Sequence, residues 1–243
     1  MQKVLIIGGA GGIGAAVARQ IVAGGGRVFL AGRTVGPLDQ LATSLGCPWG
    51  TVEATDADAV DACGDRAAEE LGGLSGITNC VGSILLKPAH LTTPADWQAT
   101  MAANLTTAFT CVRTAGRLLK ATGGSVVLLS SAAARIGLAN HEAVAAAKAG
   151  VIGLARSAAA TYARAKIRFN VVAPGLVRTP LSAGILANEL AEKASVAMHP
   201  AGRLGEPEDI ARGICWLLDP QNTWVTGQVI GIDGGLADLK TRS

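Results

Sequence analysis

Seven consecutive residues near the N-terminus, Gly8-Gly9-Ala10-Gly11-Gly12-Ile13-Gly14, have the composition and spacing of a phosphate cradle. They follow Val4 to Ile7, a short aliphatic run, and precede Ala15-Ala16-Val17-Ala18, where a helical pattern begins. Gly8, Gly12 and Gly14 form G-x-x-x-G-x-G. A chain turning from strand to helix without Cβ atoms lets its backbone approach a pyrophosphate, and the first N–H groups of the helix are free to bind it. A plain tight turn has the same composition, but the placement after a first strand and before an amphipathic helix favours phosphate. The next strand ends Ala31-Gly32-Arg33-Thr34. An acidic residue there would take the ribose 2′-hydroxyl of NAD, whereas an arginine pairs with a 2′-phosphate. Arg33, with the Thr34 hydroxyl nearby, therefore points to NADP in preference to NAD; the competing reading is a solvated surface arginine.

Other chemistries find little support. His90, His141 and His199 stand apart from each other and no H-E-x-x-H occurs, so no metal site is expected. Cys47, Cys63, Cys80, Cys111 and Cys215 contain no C-x-x-C pair and read as small apolar residues in a reducing compartment. Lys+Arg 21 against Asp+Glu 18 leaves +3, too balanced for a nucleic-acid footprint. Four Trp, three Phe and a single Tyr leave few rings on which bases could stack. No uncharged apolar run reaches membrane-spanning length, and the stretch Val4 to Ala18, which superficially resembles a signal peptide, is interrupted by the glycines of the cradle. A cytoplasmic protein with a small-molecule substrate, and with neither nucleic acid nor membrane as partner, is expected.

The elements that must position the cradle are legible as an alternation. Strand-like runs at Val4 to Ile7, Arg27 to Ala31, Thr51 to Glu53, Ile77 to Cys80, Ser125 to Ser130, Ile167 to Val172 and Gln228 to Ile232 lie between helix-length stretches. This predicts an α/β, doubly wound Rossmann fold: a seven-stranded parallel sheet with helices on both faces. Continuous apolar runs such as Val126-Val127-Leu128-Leu129 suit strands covered on both sides. Gly24 to Gly26 close the first helix, Thr93-Pro94 opens one containing Trp97 to Lys120, and Glu206-Pro207 opens another running to Leu218. With 49% apolar residues and no repeat or linker, residues 1–243 read as one dinucleotide-binding domain in which 176–206 form a substrate-covering loop.

The order of these motifs resembles the short-chain dehydrogenase/reductase family, in the branch that includes the acyl-carrier-protein reductases. Beyond the glycine loop, Asn79-Cys80-Val81-Gly82 is similar to the family's N-N-A-G, and Ala103-Asn104-Leu105 with Phe109 to the helix carrying its active-site Asn. Ser130-Ser131 stand where the catalytic Ser belongs, and Ala146-Ala147-Lys148-Ala149-Gly150 match the catalytic Lys segment. Ile167 to Gly175 with Thr179 match the nicotinamide-side loop, and Asp233-Gly234-Gly235 the C-terminal signature. The resemblance implies Ser131, Lys148 and Asn104 as catalytic residues. It implies cofactor contacts from Gly8, Gly12, Ile13, Gly14, Arg33, Thr34, Glu53, Ala54, Asn79, Gly82, Lys148, Pro174, Gly175, Val177 and Thr179, and a homotetramer or homodimer.

One residue departs from the pattern. The family uses Tyr-x-x-x-Lys on one helix, where the ammonium lowers the phenol's pKa and the phenol gives its proton to the carbonyl receiving hydride. Four residues before Lys148 stands Val144, and the only tyrosine, Tyr162, lies fourteen residues beyond it. His141 is the nearest replacement: with Asn140 as N-cap it falls in the first helical turn, where the dipole favours a neutral ring that can still donate a hydrogen bond. A loop or substrate contact is its other reading. The expected function is NADPH-dependent reduction of a carbonyl or similar group with a non-standard proton donor. The alternative is a catalytically silent nucleotide-binding homologue acting as regulator or assembly partner.

Overall fold

The computed structural model describes residues 1–240. Its strands are β1 (Lys3–Ile7), β2 (Arg27–Gly32), β3 (Trp49–Thr51), β4 (Gly76–Asn79), β5 (Gly124–Leu129), β6 (Ile167–Pro174) and β7 (Val229–Ile232). All pair in parallel, in the order β3-β2-β1-β4-β5-β6-β7. The order reverses between β1 and β4, which opens a crevice at their C-terminal ends. The helices are α1 (Gly12–Ala23), α2 (Val35–Leu45), α3 (Ala57–Leu71), α4 (Pro94–Met101), α5 (Thr107–Leu118), α6 (Glu142–Tyr162), α7 (Ala183–Leu186), α8 (Glu189–Met198) and α9 (Pro207–Leu218).

Two apolar cores follow from the period of two along each strand. Leu5 and Ile7 face one side, where Val60 and Leu71 of α3, Cys111 and Ala115 of α5, and Val151 and Ala155 of α6 close over them. Val4 and Ile6 face the other, covered by Val17 and Ile21 of α1, Leu38 of α2, and Ile210 and Ile214 of α9. The stretch that resembled a signal peptide is thus β1, the cradle and α1. The helical stretch Glu142–Ala165 is long and apolar enough to cross a membrane, but one of its faces is buried in the first core. Tyr162 ends α6 against Gly116 of α5, where a Cβ would lie 2.5 Å from its hydroxyl, and against Phe169, with ring centroids 5.6 Å apart.

Four departures from the sequence reading have physical causes. The third strand is Trp49–Thr51, not Thr51 to Glu53, because pairing with Leu30 to Gly32 ends at Thr51 and Glu53 turns its carboxylate onto Thr55. The helix that Thr93 opens, with the reciprocal Thr93–Asp96 capping box as expected, is broken by a π-helical segment at Ala102–Thr106. Asn140 is not the N-cap of α6. It adopts φ 63° while its carbonyl accepts the Lys87 N–H, so His141 takes the cap position and the helix starts at Glu142. Residues 176–206 are not an irregular loop: they contain α7 and α8, and Leu176 to Arg178 pair with Gly205.

Phe169 is fully buried where β6, α5 and α6 meet. Phe169→Ala is expected to lower the unfolding free energy by about 3 to 5 kcal/mol, read from urea denaturation. A loss below about 1 kcal/mol would show that this contact is not part of the core.

Candidate active site

The cradle forms at the C-terminal end of β1. Gly8 has φ 80°, and its N–H and that of Gly9 both donate to Ala31 O of β2, which pins the turn to the sheet edge. Gly14 lies behind the turn, where a Cβ would stand 2.2 Å from Gly8 O, so only glycine lets α1 approach β1 this closely. Gly12 faces Thr179, and a Cβ there would meet Thr179 Cγ2 at 2.8 Å. No side chain caps α1 and no acid occupies its first turn, in contrast to α3, α4 and α8, which Asp56, Thr93 and Asn188 cap. Its leading N–H groups are left for an anion.

A cleft of about 640 Å³ runs from this turn along the sheet edge. Gly8, Gly12, Ile13, Arg33, Thr34, Glu53, Ala54, Gly82 and Thr179 line it. At its far end α2 also starts without a side-chain cap, with Thr34 in the cap position and Arg33 exposed beside it. The Glu53 carboxyl is held below the usual carboxylate range, chiefly by its hydrogen bonds from Thr55 and with Arg33 as a lesser influence. The glycine cradle and the two open helix ends fit a dinucleotide, with the cationic side chain at the far end of the cleft.

A smaller cavity of about 130 Å³ continues the cleft, sharing Ile13, Val81, Gly82, Ser83 and Thr179 as walls. Here Asn104, Ser131, Lys148, Pro174, Gly175 and Val177 come together with Val144. Ser131 follows β5 and caps a short turn, its Oγ accepting from Ala133 N at 3.2 Å. The π-helical segment turns Asn104 inward, where its Nδ2 donates to Thr100 O and Ser83 Oγ, both at 2.9 Å, and its Oδ1 accepts from Ser83 N at 3.1 Å. Lys148 is buried and its Nζ donates to Leu129 O at 2.9 Å, while its own carbonyl accepts from Ser130 Oγ at 2.8 Å. Burial lowers the ammonium from 10.5 to about 8. A Cβ on Gly82 would lie 3.1 Å from Asn104 Oδ1 and 3.3 Å from Lys148 Nζ, so the glycine keeps these two groups close.

Three candidate residues stand outside these walls. Gly14 acts from behind, as described. Asn79 is buried, and its Oδ1 accepts from Val81 N and its Nδ2 donates to Thr107 Oγ1, so it shapes the 80–83 loop from beneath. His141 borders neither cavity, and its Nδ1 lies 2.7 Å from Ala139 O. A carbonyl only accepts, so Nδ1 is the donor of this hydrogen bond and the ring is engaged with the backbone rather than with either cavity.

Val52, Val81, Thr107 and the aliphatic Leu181 also line the cleft. Sequence reasoning assigned no cofactor contact to Val52, Val81 or Thr107, because a Val just past a strand end, or a Thr at a helix start, reads as ordinary packing. His199 was likewise unassigned. It is buried with both ring nitrogens engaged: Nε2 accepts from Leu176 N at 3.1 Å and Nδ1 faces Ser195 O at 2.7 Å, tying α8 to the segment after Pro174.

A family model described as Enoyl-(Acyl carrier protein) reductase matches residues 8–237. The cis-4-hydroxycyclohexanecarboxylate dehydrogenase of Sinomonas cyclohexanicum is 39% identical over 238 residues, covering 95% of this chain and 94% of that protein. The inactive 2-(S)-hydroxypropyl-CoM dehydrogenase 2 of Xanthobacter autotrophicus is 34% identical, covering 92% of this chain and all of that one. The solved structure of ElxO with NADP bound superposes with a TM-score of 0.90 at 28% identity, over 98% of this chain and 100% of ElxO. The chain belongs to the short-chain dehydrogenase/reductase family.

Proposed function

We propose that the protein is an NADPH-dependent reductase acting on a carbonyl or similar group, with a proton donor other than tyrosine. The observation that carries this is one continuous cleft leading from the open α2 end at Arg33, past the glycine turn, to Ser131 and Lys148. In this reading the N–H groups of α1 hold the pyrophosphate and Arg33 with Thr34 holds the 2′-phosphate. Glu53 and Ala54 flank the adenosine end. Pro174, Gly175, Val177 and Thr179 bound the nicotinamide end, and Lys148 takes its ribose. When bound, the cofactor supplies hydride. Ser131 Oγ holds the substrate oxygen, and Asn104 keeps Ser83 and the 80–83 loop in register. Residues 176–206 cover the substrate, with Leu181 on the wall.

Val144 makes one side of the substrate cavity apolar where the resemblance implies a phenol. That suits an activated substrate, such as an imine arriving protonated or a doubly activated carbonyl, which needs little help from an acid. The silent-homologue reading draws on the same residue and on the Xanthobacter relative whose name calls it inactive. The joint presence of Ser131, Lys148 and Asn104 around one cavity favours turnover.

Arg33→Ala is expected to weaken NADPH by about 1.5 to 3 kcal/mol, roughly 10- to 150-fold, with little change for NADH, measured by quenching of tryptophan fluorescence. Equal losses for both cofactors would remove the 2′-phosphate assignment. Val144→Tyr is expected to raise kcat on simple ketones by about 100-fold while leaving activated substrates nearly unchanged, followed by loss of reduced-cofactor absorbance. An equal rise on both classes would contradict the apolar-wall account.

A further inference from the structure

Reduction of a carbonyl needs one proton at oxygen, and few groups bordering the small cavity can deliver it. His141 lies outside, with its Nδ1 turned to Ala139 O. Tyr162 is fourteen residues along α6 from Lys148, about 21 Å along the axis, and packs on Gly116 and Phe169. Among the described residues no Asp or Glu lines the cavity. Cys80 does, but burial pushes its thiol up to about 12, and its Sγ lies 3.9 Å from Thr78 Oγ1 on β4.

Lys148 differs from all of these. Among the described residues its Nζ makes one hydrogen bond, to Leu129 O; of the two remaining N–H groups of an ammonium, one goes to the cofactor ribose in the reading above and the other is left for the cavity. Helical side chains lean toward the N-terminus of their helix, so the Lys148 stem runs under position 144, one turn earlier. Val144, Ser131 and Lys148 border the same space. Val144 gives the wall these residues share an aliphatic side chain with no proton to donate.

We propose, resting on the reductase reading above, that Lys148 is itself the proton source of this site, passing a proton across the cavity to the substrate oxygen held by Ser131. As the carbonyl carbon accepts hydride from the reduced nicotinamide, the π pair moves to oxygen. The oxygen takes a proton from the Lys148 ammonium, leaving a neutral amine that is recharged from water. The titratable neighbour facing Nζ from the β4 side is Cys80; Asn104 from the π-helical segment and Ser130 and Ser131 after β5 are uncharged. The ammonium is therefore lowered toward neutral pH by burial and finds no carboxylate to hold its charge. Its role is separate from tuning a phenol, which this cavity lacks.

The test uses the full chain with saturating NADPH and whichever apolar ketone it reduces fastest, from about pH 6 to about pH 10, with cofactor affinity measured at each pH. Because the donor must be protonated, kcat for reduction is expected to be flat at low pH and to fall above a midpoint set by Lys148 in the loaded chain. By two units above the midpoint the loss is about 100-fold. Independently of turnover, NMR of isotope-labelled lysine is expected to show Lys148 titrating at about 8 in the cofactor-free chain and at the kcat midpoint with the cofactor bound. Lys148→Arg keeps the charge but holds its proton, and is expected to lose about 100-fold or more in kcat. Turnover that is flat across the range, that Lys148→Arg retains, or whose midpoint differs from the Lys148 titration overturns the assignment. Should the arginine variant not fold, the coincidence of the two wild-type midpoints decides. No turnover at any pH, on any ketone or imine, overturns the reductase reading and this assignment with it.

Discussion

Lys148 puts an ammonium among buried atoms with no carboxylate beside it, and the C-terminal edge of the sheet is arranged around that charge. One N–H is spent on Leu129 O, the last carbonyl of β5, which fixes how far α6 stands from the strand. The neighbouring Ser130 hydroxyl reaches back to the Lys148 carbonyl, so helix and strand grip each other twice. Gly82 carries no Cβ because one would crowd both the ammonium and the Asn104 amide. The π-helical segment Ala102–Thr106 then turns Asn104 inward, where it takes the backbone N–H of Ser83. Four segments distant in sequence are held in register by groups that a buried cation requires to be polar and close.

The dinucleotide end is independent of this charge and rests on backbone geometry. β1 and β4 part at the switch in strand order, and the glycine turn fills the gap while α1 presents unclaimed N–H groups. That half was readable from residues 4–18 because strand, glycine turn and helix each leave a local signature. The apolar alternation likewise foretold the parallel sheet covered on both faces, and Thr93-Pro94 and Glu206-Pro207 the starts of α4 and α9.

What the residues alone did not disclose depends on contacts between distant segments. A π turn has no local composition signal, since Ala102 to Thr106 reads as continuous helix until packing turns Asn104 inward. Asn140 has a good capping side chain, yet a positive φ and the Lys87 N–H on its carbonyl move the cap to His141 and draw the imidazole away from the cavity. The third strand slips two residues because a short edge strand takes its register from its partner rather than from its own β-branched residues. His199 looked unremarkable at a loop end, and only the fold brings Leu176 N–H to its ring.

These features give one picture: a short-chain dehydrogenase/reductase scaffold in which valine stands where the resemblance implies a phenol and a buried lysine borders the same cavity. Its central claim, that hydride is transferred in this cavity, can be read directly by supplying NADPH carrying deuterium at both nicotinamide C4 positions together with a panel of apolar ketones and imines. The account predicts one deuterium at the former carbonyl or imine carbon of the product by mass spectrometry, lost in Ser131→Ala. Tight NADPH binding with no deuterium in any product would contradict it.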